Sequence, residues 1–192
     1  MNIAILASGS GTNAENIIRY FQEKRSGSQV SLVITNRRQA MVRERAAGLS
    51  VPCLYFPKEE WSGGEAVLTT LRAHHIDWVI LAGFLLRVPE SILNAYPDQV
   101  INIHPALLPN YGGKGMYGDR VHAAVIAAHE KVSGITIHYV NAQYDEGAII
   151  FQATCPVLPE DTPHTLAQRI HILEYTYFPQ TIEKAIASLR NG

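Results

Sequence analysis

Residues 3–24, IAILASGSGTNAENIIRYFQEK, decide the fold class. IAILA is a short unbroken apolar run of the kind shown by a strand buried on both faces. Glycines follow at once. The stretch beyond them carries Ile17, Ile18 and Phe21 at helical spacing, so the unit reads as strand, glycine turn, helix. The alternation continues through VSLVITN, a helix around Met41 to Ala47, the strand VPCLYF, a helix from Glu65 to His74, the strand WVILAG, and a short helix after Pro89. It reaches a further strand in VINIHPALLP, residues 100–109. Strands and helices alternating at this pace imply parallel pairing with crossover helices. The first hundred residues therefore predict an open, doubly wound α/β sheet.

The pattern then changes. NYGGKGMYG, residues 110–118, is a glycine-rich loop, and a helix follows from Arg120 to Glu130. SGITIHYV and GAIIFQATCPV are extended runs with no helix between them, which predicts an antiparallel pair. Thr162 as N-cap and Pro163 in the first turn open a closing helix, with an interruption or kink expected near Pro179. No repeat, low-complexity tract or linker stands out. We expect one domain over residues 1–192, with 1–105 and 106–192 as two halves of the same unit.

With 16 basic and 17 acidic residues and a formal net charge of −1, the chain has no electrostatic footprint for nucleic acid or a membrane surface. A phosphate-bearing small molecule remains compatible with that balance. The two cysteines, Cys53 and Cys155, form no CxxC pair, so neither a disulfide framework nor a zinc knuckle is expected. No HExxH or Cys/His cluster occurs among the eight histidines, and no metal is expected. The apolar start is too short for a signal peptide or a spanning helix, and the chain reads as cytoplasmic.

Three places carry chemistry. Gly9, Gly11 and Ala14 fit G-x-G-x-x-[GA] between a strand and a helix, where close backbone and free amides favour a phosphate. As a dinucleotide fingerprint the match is incomplete. No acidic residue closes the second strand, although Arg37 and Arg38 could face the extra phosphate of NADP. Asn102 and His104 share one face of their strand, roughly 6.6–7 Å apart, a gap that suits an amide and an imidazole bracketing one small reacting group. The same spacing also suits a polar strand end that ties down its loop. Asp145, in YDEG between the two late strands, is either an ordinary turn residue or a carboxylate that favours the charged form of an acid histidine. His138, in the run ITIHYV, reads as a satisfied half-buried histidine. Lys114, within GGKG, reads as a solvated residue of a flexible loop, because the spacing of a nucleotide loop is missing.

Taken together, SGSGTN, LAGFLLRVP, NIHPALLP, GITIHYV, YDEGAII and the late helix with Glu174 resemble the phosphoribosylglycinamide formyltransferase family over nearly the whole chain. The resemblance implies transfer of a formyl group from 10-formyltetrahydrofolate, a cosubstrate, to the amine of glycinamide ribonucleotide in purine synthesis. It implies His104 as general acid, Asn102 as partner of the formyl oxygen, and Asp145 as the carboxylate that raises the histidine's pKa. Gly11, Thr12 and Asn13 would hold the phosphate, with His171 and Glu174 at the ribose. Leu85, Leu86, Arg87, Val88, Leu93 and Val100, with Asn102, would line the folate. A monomer or homodimer is expected, with small molecules as its partners. Other readings stay open at this point: formyl transfer to another acceptor, hydrolysis of formyl folate, an NADP-dependent oxidoreductase, or a nucleotide-binding scaffold module in which Asn102, His104 and Asp145 do not converge.

Overall fold

The computed structural model describes residues 1–24 and 27–190 and divides into two compact units, Met1–Ile101 and Asn102–Gly192. The first is built of β1 (Asn2–Leu6), α1 (Thr12–Lys24), β2 (Gln29–Thr35), α2 (Val42–Gly48), β3 (Cys53–Tyr55), α3 (Glu65–Ala73), β4 (Trp78–Leu81), α4 (Glu90–Ala95) and the opening residues of β5 (Val100–His104). Its strand order is β3-β2-β1-β4, with β1–β2, β1–β4 and β2–β3 all parallel. Ile3, Ala4, Ile5 and Leu6 are fully buried, as a strand lying between two others and covered on both faces must be. The helices are amphipathic. In α1, Ala14, Ile17, Ile18 and Phe21 form the inward stripe.

This order has a consequence for binding. The chain runs outward from β1 to β3 and returns to the other side of β1 with β4, so the turns after β1 and β4 leave neighbouring strands at a reversal of direction. Open α/β sheets bind ligands outside the carboxyl ends of the strands at such a switch point. The two turns are tied together here. Ser8 N–H donates to Gly83 O at 3.0 Å, and Leu85 N–H donates to Ser8 Oγ at 2.9 Å.

The second unit holds the end of β5, then α5 (Asp119–Ala127), β6 (Val132–Tyr139), β7 (Ile149–Pro156) and α6 (Pro163–Arg190), with strand order β5-β6-β7. β6 and β7 are antiparallel, as the missing crossover helix requires, and their register slips between Ile137 and His138. α6 is capped as the sequence implies: Thr165 N–H donates to Thr162 Oγ1 at 3.2 Å, and Pro163 is the first helical residue. The expected interruption near Pro179 is absent, since α6 runs continuously through it for 28 residues. Phe178, Ile182, Ala185 and Ile186 are buried around that proline, and their packing sustains a helix that the missing N–H alone would weaken. The fold is thus an α/β open sheet, mostly parallel, with an antiparallel carboxyl-terminal pair and a closing helix, as the sequence predicts.

Candidate active site

The loop after β5 is held by β6. Thr136 Oγ1 donates to Ala106 O at 2.7 Å and accepts the Leu108 N–H at 3.0 Å and the Gln152 amide at 2.9 Å. One buried hydroxyl therefore fixes both ends of the turn in NIHPALLP. The two polar side chains of β5 stay at the strand's end, His104 buried and Asn102 half-buried.

The carboxylate comes from the connection between β6 and β7. Tyr139 N–H donates to Ala148 O at 2.9 Å and closes that connection. Asp145 takes a left-handed backbone with φ of 57°. Gly147 is required by close approach, because a Cβ there would fall 1.7 Å from Tyr139 O. So folded, the turn puts Asp145 Oδ2 3.6 Å from His104 Nδ1 and Oδ1 3.6 Å from His138 Nε2. The Gly113 N–H donates to the same Oδ2 at 2.9 Å. Asn102, His104 and Asp145 thus converge within the second unit, and His138 joins them.

The hydrogen bonds define which ring nitrogen is free. His104 Nε2 lies 2.8 Å from Tyr111 O, a carbonyl that can only accept, so Nε2 carries the hydrogen and Nδ1 is bare toward Asp145 when the ring is neutral. His138 Nδ1 likewise donates to Tyr139 O at 2.8 Å, which leaves Nε2 to accept from Asn102 Nδ2 at 3.1 Å. One Asn102 N–H is therefore engaged, and the other has no partner among the described residues.

Burial and the neighbouring groups oppose each other at both His104 and Asp145. Burial pushes the His104 pKa below the ordinary histidine value, outweighing the opposite pull of Asp145 and of the Tyr111 carbonyl. Asp145 is the leading influence raising the His104 pKa, and the net direction is nevertheless downward. Shielding from water dominates. Burial pushes the Asp145 pKa upward, and the His138 and His104 rings with the Gly113 N–H overcome it, leaving the carboxyl below its usual value and ionised.

In α6, His171 Nδ1 lies 2.8 Å from Glu174 Oε2, and this contact raises the His171 pKa despite partial burial. Gly11, Thr12 and Asn13 lie in the first unit where the β1 turn becomes α1. Gly11 has φ of +76° and sits so close to Val42 that a Cβ would fall 2.4 Å from its Cγ2. Arg45 braces that turn, donating from Nε to Ser10 O at 2.9 Å while its guanidinium pairs with Glu15. Leu85 and Arg87 are exposed, Leu86 and Leu93 are half-buried, and Val88 and Val100 are buried. Among the described residues no group of three His, Cys, Asp or Glu side chains could hold a metal ion. No helix among them is long and apolar enough to cross a membrane.

Residues 1–182 match the family model described as formyl transferase. The chain belongs to the formyl transferase family. It is 34% identical to the phosphoribosylglycinamide formyltransferase of Bacillus subtilis (strain 168), covering 98% of this chain and 96% of that one. It is 37% identical to a chloroplastic phosphoribosylglycinamide formyltransferase of Arabidopsis thaliana, covering 94% of this chain but 63% of that protein's length. A second chloroplastic relative, from Vigna unguiculata, is spanned over 59% of its length. Among solved structures, glycinamide ribonucleotide transformylase 1 from Symbiobacterium toebii superposes with a TM-score of 0.89 at 35% identity, covering 97% of this chain and 88% of that one.

His138, read from the sequence as a satisfied half-buried histidine, has both ring nitrogens partnered but is fully buried, and the sequence did not place it beside Asn102 and Asp145. Its strand alternation was legible, but the alternation names a face and not a neighbour. The one available signal was position: His138 stands at the end of a strand, as Asn102 and His104 do. The backbone partners Tyr111 O and Gly113 N–H left no trace in side-chain chemistry, since backbone groups are common to every sequence.

Proposed function

We propose that this formyl transferase moves the formyl group of 10-formyltetrahydrofolate to the amine of glycinamide ribonucleotide, a step of purine synthesis. The observation that carries the reading is His104 Nδ1 facing an ionised Asp145 at 3.6 Å beside an Asn102 amide with one free N–H. The substrate amine attacks the formyl carbon, forming the new C–N bond and placing the carbonyl electron pair on oxygen. Asn102 donates its free Nδ2–H to that oxyanion. A neutral His104 first accepts the proton lost by the amine, at Nδ1, and the adjacent Asp145 stabilises the imidazolium. The same proton then passes to N10 of the folate as its bond to the formyl carbon breaks. His104 is thus base and then acid, which suits a pKa held low by burial better than a permanently charged acid.

The remaining assignments come from the resemblance and from local geometry. We assign the phosphate to Gly11, Thr12 and Asn13, at the start of α1, because the amino-terminal end of a helix favours an anion. The ribose goes to His171 and Glu174. The pterin goes to Leu85, Leu86, Arg87 and Val88, with Leu93 and Val100 as apolar walls and Asn102 at the formyl end. We also assign a cytoplasmic setting and one domain acting as a monomer or homodimer; small molecules as its partners accord with the near-neutral charge.

The test mixes the purified chain with both substrates and follows deformylation of the folate by absorbance. Turnover that depends on glycinamide ribonucleotide is expected. Equal turnover without it would instead identify a formyl folate hydrolase.

A further inference from the structure

α5 packs against α6, and its buried residues are Val121, His122 and Val125. The valines ask only for burial. His122 asks for more, because it is 2% exposed and its Nδ1 has no hydrogen-bond partner among the described residues. A buried polar atom left without a partner is costly, and one retained in a folded chain calls for a reason. Glu174 is the foremost charged group acting on it, followed by His171, Asp119 and His104. Glu174 is 4% exposed and takes the hydrogen of His171 Nδ1 at 2.8 Å. α6 therefore carries a buried carboxylate with one imidazole fixed to it, and α5 brings a second imidazole with an unused nitrogen.

The donor set selects its ligand. Burial disfavours a proton on His122, so the ring offers one donor and one acceptor and no charge. A hydroxyl can donate to a carboxylate and accept from an imidazole N–H at once, and neighbouring hydroxyls on a sugar let two residues share one ring. We propose that His122 is a further substrate-binding residue, a polar contact to the ribose hydroxyls of the nucleotide that completes the set begun by Glu174 and His171. This rests on the reading above that those two residues meet the sugar.

The test is calorimetric binding of glycinamide ribonucleotide, and of its 2′-deoxy and 3′-deoxy analogues, to the full chain and to His122→Phe, His122→Asn and Glu174→Gln. The wild type is expected to bind at least one deoxy analogue about tenfold more weakly, the worth of a hydrogen bond to a buried group. His122→Phe should weaken the ribonucleotide by a similar factor and lose that discrimination. His122→Asn, which sets an amide near the place of Nδ1, should keep most of both. If His122→Phe discriminates as the wild type does while Glu174→Gln does not, the role of His122 is overturned and the ribose reading stands. Equal weakening of all three ligands by His122→Phe would mark the residue as structural and overturn the proposal as well. A wild type that binds ribose and deoxyribose ligands alike overturns both.

Discussion

Replacing Asp145 by Asn tests the proposed chemistry with little disturbance of the backbone. Asp145 sits at φ of 57°, a region where Asn is as much at home as Asp and where Ala is strained, so Asp145→Ala would confound catalysis with folding. The Asn side-chain oxygen also retains an acceptor for the Gly113 N–H, bonded at 2.9 Å in the native chain. What is lost is the charge. At 3.6 Å from His104 Nδ1, a carboxylate attracts an imidazolium by roughly 4–5 kcal/mol at an effective dielectric near 20. The amide dipole and the relieved desolvation of the carboxylate return part of this, and about 2.7 kcal/mol remaining corresponds to about a hundredfold loss in kcat. The KM for the ribonucleotide should hardly move. NMR titration should find the His104 pKa lower still in the variant, because Asp145 is the leading influence raising it. A variant within about threefold of the native rate, or an unchanged His104 titration, would refute the proton path.

Three further outcomes follow from the geometry. Gly147→Ala should destabilise the chain by about 3 kcal/mol or more, because its Cβ would sit 1.7 Å from Tyr139 O; denaturant unfolding checks this, and a shift under about 1 kcal/mol would contradict the close approach. His138→Ala should free the Asn102 amide to rotate and lower kcat by about tenfold or more, with partial recovery in His138→Gln, which can accept from Asn102; equal kinetics in the Ala and Gln variants would dismiss the orienting role. The His171 pKa is raised by Glu174, so their pairing stabilises the folded chain fully below the unfolded histidine value of about 6.5 and fades as pH rises through the raised folded value. The stability gap between the native chain and Glu174→Gln, measured by urea unfolding across pH, should therefore narrow as the solution becomes alkaline, and a gap that widened would reverse the assignment.

Much of the fold was legible because its signals are local. IAILA marks a doubly covered strand by composition, and the lack of a helix between ITIHYV and GAIIFQATCPV dictates their antiparallel pairing. The site was legible where a residue's chemistry and its place at a strand end coincide, as with Asn102 and His104. It was illegible where function depends on which strand lies beside which. His138 is one such case, since its partnership with Asn102 follows from β6 lying next to β5, an adjacency that no window of sequence states.

The charge state of His104 belongs to a different class of the illegible. A sequence can nominate a carboxylate partner, and Asp145 was nominated, but the sign of a pKa shift is a contest between that partner and the loss of water. The amount of water lost is a property of the whole enclosure. The loop after β5, pinned by Thr136, and the Tyr111 carbonyl over Nε2 enclose the ring, and with them burial prevails. In the proposed mechanism this sets the order of the chemistry: a ring that starts neutral takes a proton before it gives one. Once the titration of the free substrate amine is measured and divided out, the remaining acid limb of kcat/KM for the free protein should accordingly fall at a pH below the ordinary histidine value, where His104 is protonated before substrate arrives. If the limb lies above that value instead, His104 begins the cycle charged, and the base-first sequence is wrong even where the residues are right.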